Sequence, residues 1–162
     1  MRIDFELLIE TELDMERLGS IIGDSLLGGD VLYLSGVLGA GKTTLTRGIL
    51  MGLGFSGRVT SPTFTLMNIY QAAFPVYHFD FYRLEGSELY ELGLDDYLGQ
   101  DGVCIIEWPE TGSALLPEDA LWIHIRLKGD NYDLGRLVSF EPCGRSAHLL
   151  FERLQAHVNF SY

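Results

Sequence analysis

The run Gly36-Val-Leu-Gly-Ala-Gly-Lys-Thr43 is a complete GxxxxGK[ST] signature. It constrains the fold before composition is considered, because such a loop works only between a buried strand and the start of a helix. Both flanks are present: an apolar strand candidate, Val31-Leu-Tyr-Leu-Ser35, and a helical run, Thr44-Leu-Thr-Arg-Gly-Ile-Leu-Met51. The glycines let the backbone curl so that successive N–H groups point inward around an anion, at the positive end of the following helix. Lys42 is spaced to reach β- and γ-phosphates, and the Thr43 hydroxyl to meet Mg²⁺. Gly36, Gly39, Ala40, Gly41, Lys42, Thr43 and Thr44 are therefore the candidate nucleotide-binding residues. The signature predicts a nucleoside triphosphate site.

A length of 162 residues is the size of one domain with a real core. No segment approaches the roughly 18 unbroken apolar residues of a membrane span. Acids precede any apolar run in Met1-Arg-Ile-Asp-Phe-Glu, which is not the pattern of a signal peptide. The cytoplasm is the default expectation. Cys104 sits in an apolar run and reads as a small buried hydrophobe; Cys143 follows Pro142 in a turn, and neither cysteine has metal-ligand spacing.

Net charge is −12, and Lys42 and Lys128 are the only lysines. Such a chain is repelled by nucleic acid, whose binding depends on Lys and Arg displacing counterions. The acids are unevenly spread: Glu85, Glu88, Glu91, Asp95, Asp96 and Asp101 fall in a stretch without a base. That stretch is either a solvated helix face or a docking face for a basic partner.

Asp4–Glu10 reads as a strand. Thr11, with Asp14 three places on, reads as a helix N-cap before Met15, Leu18, Ile22 and Leu26 at helical spacing. Beyond the phosphate loop, Arg58–Thr65 reads as an extended loop. Met67–Ala72 and Val76–Tyr82 read as an antiparallel hairpin. Gly86–Leu98 is helix-like, with Leu89, Leu92 and Tyr97 inward. Val103–Ile106 is apolar throughout, as in a strand buried on both faces. Ala120–Lys128 and Leu134–Glu141 alternate around the turn Gly129–Asp133, and a last helix over Arg145–Val158 carries Leu150, Leu154 and Val158 inward.

A phosphate loop needs an acid at the end of a neighbouring strand. Glu107 follows Val103-Cys-Ile-Ile106, and Asp80 follows Val76-Tyr-His-Phe79; both are candidates for the catalytic and Mg²⁺-linked acid. Period-two alternation puts His78, Asp80 and Tyr82 on one face and the aromatic Tyr77, Phe79 and Phe81 on the other. His78 is a structural histidine or part of the site. Ser61-Pro-Thr-Phe-Thr65 is a simple turn or a switch loop in which Ser61, Thr63 and Thr65 sense the γ-phosphate. Trp108 is a core-edge aromatic or a lid.

Gly39-Ala-Gly-Lys-Thr-Thr44, Ser61-Pro-Thr-Phe-Thr-Leu66, His78-Phe-Asp-Phe-Tyr-Arg83 and Ile106-Glu-Trp-Pro109, in this order and at these gaps, resemble the TsaE (formerly YjeE) family. The resemblance covers roughly residues 5–155. It implies a bacterial ATPase of tRNA threonylcarbamoyladenosine synthesis, weak alone and working with the TsaB–TsaD pair on adenosine 37 of tRNAs that read ANN codons. ATP and Mg²⁺ are the implied cofactors. On this resemblance Lys42 and Thr43 hold phosphates and Mg²⁺, and Asp80 and Glu107 are the acids of the Mg²⁺ and hydrolysis centre. Ser61 and Thr65 belong to the switch loop, and Trp108 flanks the nucleotide. Family members often carry an acid where this chain has Val37, a difference that bears on partner contacts.

Other classes fit less well. A small-molecule kinase needs an arginine-rich lid, yet Arg83 is the only Lys or Arg between Val59 and Ile125. No NKxD-type guanine motif is present, and Gly36, Gly39 and Gly41 lack GxGxxG spacing. A nucleotide-binding adaptor with negligible turnover is the non-enzyme alternative. The expected architecture is a three-layer α/β P-loop fold over residues 1–162, with a central parallel sheet extended by antiparallel strands and helices on both faces.

Overall fold

Strands that are apolar at every position need cover on both faces, which drives them to the middle of a sheet. A computed structural model describes residues 5–157 of the chain apart from residues 64, 85, 100 and 113. In it, β2 (Val31–Ser35) and β5 (Val103–Glu107) are parallel neighbours near the sheet centre. The other strands are β1 (Glu6–Ile9), β3 (Met67–Gln71), β4 (Pro75–Asp80), β6 (Ala120–Leu127) and β7 (Arg136–Cys143). The order is β1-β7-β6-β2-β5-β4-β3. β6, β2, β5 and β4 run parallel, while β3 at one edge and β7 with β1 at the other are antiparallel. The expected parallel centre with antiparallel extensions is what forms.

Alternate residues of the central strands feed two cores. Leu32, Leu34, Ile105, Leu121 and Ile123 pack with Leu18 and Ile22 of α1 (Glu12–Ser25), Leu45 and Ile49 of α2 (Lys42–Gly52), and Leu150 and Leu154 of α4 (Arg145–His157). Tyr33, Phe79, Cys104 and Ile106 face the other way, with Phe81, Leu84, Leu94 and Leu116. The two covers are unequal. The first face carries three long helices, and the second carries the short α3 (Gly86–Glu91), 3-10 turns at Leu94–Asp96 and Pro109–Gly112, and loops.

Several boundaries differ from the sequence reading. The first strand is shorter than Asp4–Glu10, and Asp4 lies outside the described residues. Gly86–Leu98 is not one helix. Gly93 takes a left-handed conformation (φ 64°) and starts the separate 3-10 turn, a backbone that glycine reaches without Cβ strain. Leu92 and Tyr97 do pack on the second core; the side chain of Leu89, like Glu85, Phe64 and Val158 with the tail beyond it, lies outside the described residues. Thr11 caps α1 as expected, its hydroxyl accepting from the Asp14 N–H at 3.0 Å. Cys104 is buried, and burial pushes its thiol up to about 12. Among the described residues no helix is long and apolar enough to cross a membrane.

The helices α1 and α2 pack backbone to backbone, and four glycines make it possible. A Cβ on Gly19 would lie 2.5 Å from the Leu45 carbonyl oxygen, and one on Gly23 2.3 Å from that of Ile49. Reciprocally, a Cβ on Gly48 would lie 2.3 Å from the Glu16 oxygen, and one on Gly52 2.3 Å from that of Ser20. The obstructing atoms are backbone, which cannot swing aside as a side chain would. Both pairs are spaced i, i+4, so each helix offers a bare stripe to the other. Gly48→Ala is expected to cost about 1–3 kcal/mol by overpacking, or a fall in Tm of roughly 2–10 °C for a chain of this size. Thermal denaturation followed by circular dichroism checks this, and an unchanged midpoint would deny that the backbones touch.

Candidate functional site

β2 ends at Ser35, and the chain turns through Gly36–Gly41 into α2. The turn uses two left-handed glycines, Gly39 (φ 77°) and Gly41 (φ 116°). Gly41 is the N-cap of α2 and has no side chain to accept the first-turn N–H groups. Gly41, Lys42, Thr43 and Thr44 instead line a cavity of about 480 Å³. A helix head, whose first N–H groups have no intrahelical partner, beside a cavity is suited to an anion.

Lys42 is buried. Its Nζ donates to the Gly36 oxygen and, at 3.1 Å, to the Val37 oxygen, and it sits 4.2 Å from the centre of the Trp108 ring. Burial pushes the Lys42 pKa below the usual lysine range, against the opposing fields of Glu107, Asp80 and Glu110. The direction means that the folded chain disfavours the bare ammonium, so an anion beside Nζ would supply what burial removes.

Residue spacing left Asp80 and Glu107 as competing candidates and the family resemblance took both; the fold brings both to one place. They are register partners at the carboxyl ends of the parallel strands β4 and β5, both line the cavity, and each is only 3% exposed. Buried carboxylates must be hydrogen-bonded to be tolerated, and these are. Asp80 accepts from the Thr63 hydroxyl (2.8 Å) and the Tyr82 N–H (2.9 Å). Glu107 Oε2 is 2.6 Å from His78 Nε2. The imidazole is wholly buried, and its Nδ1 has no hydrogen-bond partner among the described residues. That pattern assigns the proton to Nε2, where it donates to Glu107. His78 therefore fixes one oxygen of Glu107.

The loop after α2 meets the acids only in part. Ser61 and Thr63 line the cavity, and their hydroxyls are 2.7 Å apart, so Ser61, Thr63 and Asp80 form a chain. Thr65 does not join them; its exposed hydroxyl donates to Asn68 Oδ1 at 3.1 Å. Tyr82 also departs from the reading that set it beside His78 and Asp80. It lies beyond the end of β4, exposed, with its ring 4.8 Å from that of Trp108. Strand alternation ceases to apply once the strand ends. Trp108 is both core edge and cavity wall: it packs on the second core and takes φ 56°, a left-handed conformation uncommon outside glycine.

Sequence reasoning missed the other half of the cavity. Ile9 at the end of β1, Thr11 and Met15 at the start of α1, Tyr132 and Asp133 of the β6–β7 turn, and Arg136, the first residue of β7, complete its walls. Thr11 was legible as a cap but not as a site residue. A tyrosine in a hairpin turn and an arginine at the start of the next strand carry no phosphate signature of their own. Val37 is half exposed and, like Gly36, is not among the described residues that line the cavity; the Gly36 carbonyl accepts from Lys42 Nζ.

Strand order, the loop between β2 and α2, and the acids on the adjoining strands define a P-loop α/β protein. Comparison with known proteins narrows the class. The family described as threonylcarbamoyl adenosine biosynthesis protein TsaE matches residues 9–136, and the chain belongs to it. A Bacillus subtilis relative named tRNA threonylcarbamoyladenosine biosynthesis protein TsaE is 44% identical over 134 residues, covering 82% of each chain. A relative of the same name from Haemophilus influenzae is 44% identical over 135 residues, covering 79% of this chain and 83% of its own. The crystal structure of Bacillus subtilis YdiB superposes with a TM-score of 0.82 at 34% identity, over 94% of this chain and 95% of that one.

Proposed function

We propose that this chain is the ATP-binding and ATP-hydrolysing component of the machinery that makes N6-threonylcarbamoyladenosine at position 37 of tRNA, working with a TsaB–TsaD-type complex. The names borne by its relatives support the pathway. The observation that carries the chemistry is the pair Asp80 and Glu107, side by side and buried, lining one cavity with Lys42 and Thr43.

The residues fit Mg²⁺. The Thr43 hydroxyl and the two carboxylates are hard oxygen donors. Among the described residues no group of three or more His, Cys, Asp and Glu could cage an ion. An ion here would therefore take its remaining ligands from phosphate and water, the habit of Mg²⁺ rather than of zinc or calcium. When bound, it would neutralise charge on the β- and γ-oxygens.

The first-turn N–H groups of α2 hold the β-phosphate, and Lys42 transfers its donors from the Gly36 and Val37 carbonyls to phosphate oxygens. Glu107 keeps Oε2 on His78 and offers Oε1 to the attacking water. As the water oxygen bonds to the γ-phosphorus, its proton passes to Glu107 and the bond to the departing diphosphate breaks. Asp80, through Thr63 and Ser61, ties the same reaction to the loop after α2. Lys42→Ala is expected to weaken nucleotide binding at least about a hundredfold, or 2.7 kcal/mol; unchanged affinity by calorimetry would refute the site. Asp80→Asn and Glu107→Gln are expected to bind nucleotide within about tenfold of wild type, while partner-stimulated turnover falls at least about a hundredfold. A mutant that turns over normally would relegate its acid to a structural role.

The charge distribution supports a protein partner over direct capture of tRNA. Glu88, Glu91 and Asp95 are all exposed on α3 and the 3-10 turn after it, a surface that opposes a phosphate backbone and favours a basic protein face. Reversing these three charges together is expected to leave ATP binding by the free chain intact and to weaken stimulation by the partner complex. Intact stimulation would leave them a solvated face.

A further inference from the structure

We infer that Tyr132, in the β6–β7 turn, and Arg136, where that turn enters β7, are positioning residues that hold the phosphate loop in its anion-binding curl. The inference rests on the reading of the cavity as a nucleotide site. Three consecutive loop carbonyls are gripped from this turn. The Tyr132 hydroxyl donates to the Leu38 oxygen at 2.9 Å. Arg136 Nη2 donates to the Gly39 oxygen at 3.3 Å, and Nε to the Ala40 oxygen at 2.9 Å. The guanidinium is itself tied down, with Nη1 3.0 Å from the oxygens of both Tyr132 and Gly135 and its carbon 5.6 Å from the centre of the Tyr132 ring.

The C=O of one residue and the N–H of the next point opposite ways across a planar trans peptide. A carbonyl held toward the turn thus orients the following N–H away from it. Fixing the carbonyls of Leu38, Gly39 and Ala40 sets three peptide planes at the head of α2. The Ala40 N–H is returned to the Val37 oxygen at 3.0 Å, which tightens the curl. Left-handed glycines make this backbone possible but do not hold it, since glycine has the most freedom to leave it. Arg136 supplies the restraint. Four of its five N–H donors go to backbone oxygens, which is the disposition of a splint rather than of a group reserved for a transferred phosphoryl.

The test compares wild type, Arg136→Gln, Arg136→Lys and Tyr132→Phe for ADP and non-hydrolysable ATP-analogue affinity by calorimetry, Tm, and partner-stimulated kcat at saturating ATP. A splint acts through N–H groups that grip any nucleoside polyphosphate. Arg136→Gln should therefore weaken ADP and the analogue by the same factor, at least about tenfold, with kcat at saturation within about twofold. Lysine lacks the planar fork and should rescue only part of the loss. Tyr132→Phe deletes one oxygen, keeps the ring, and should cost about three- to tenfold in both affinities with Tm unchanged. Wild-type affinity in Tyr132→Phe and Arg136→Gln would overturn the inference, as would a loss confined to kcat or to the ATP analogue, which marks direct contact with the transferred group. Loss of Tm in Arg136→Gln without loss of affinity in Tyr132→Phe would also overturn it. Failure of wild type to bind either nucleotide would overturn the nucleotide reading itself.

Discussion

The backbone contact between α1 and α2 sets the geometry of the cavity. Helices that touch through side chains can slide by a rotamer, but helices that touch through glycine are limited by backbone atoms. Gly19, Gly23, Gly48 and Gly52 therefore act as a mechanical datum. They fix the P-loop helix against a helix whose own first turn forms one wall of the site. Met15 makes the consequence visible, because its Cε would lie 3.3 Å from a Cβ on Gly41. The end of the phosphate loop is thus seated against α1, and Arg47 paired with Glu16 at 2.9 Å closes the same seam.

The cavity concentrates groups that are costly to bury. Asp80, Glu107 and Lys42 are all nearly excluded from water, and each would be expensive without hydrogen bonds. The structure meets the need locally with a serine–threonine chain, a peptide N–H, a buried imidazole and the loop's own carbonyls. These supports differ in stiffness. His78 belongs to a strand buried in the sheet, so the orientation of Glu107 is held by the core. Thr63 belongs to a loop, so the hydrogen bond it makes to Asp80 can be exchanged. Neighbouring carboxylates thus have different mechanical backing.

The two faces of the sheet divide the labour. Long helices on the first face, α1 among them, hold the loop and Lys42. The second face has a thinner cover that carries Trp108 and the acidic segment. Trp108 joins the two, since its ring packs on the second core while Lys42 lies over it.

The sequence alone determined the elements whose signals are local. The loop signature, the strand before it and the helix after it need only neighbouring residues, and so do the Thr11 cap, the two hairpins and the buried strand ending at Glu107. Local reading failed where a single backbone angle intervened, as at Gly93, or where a strand had already ended, as at Tyr82. Only the tertiary structure decided the rest. It set Asp80 directly beside Glu107, because parallel register is fixed by packing across the sheet and not by spacing along the chain. It brought Tyr132 and Arg136 nearly a hundred positions back to the loop carbonyls. It also gave meaning to Gly19, Gly23, Gly48 and Gly52, since the reason for a missing side chain lies in the backbone that occupies its place.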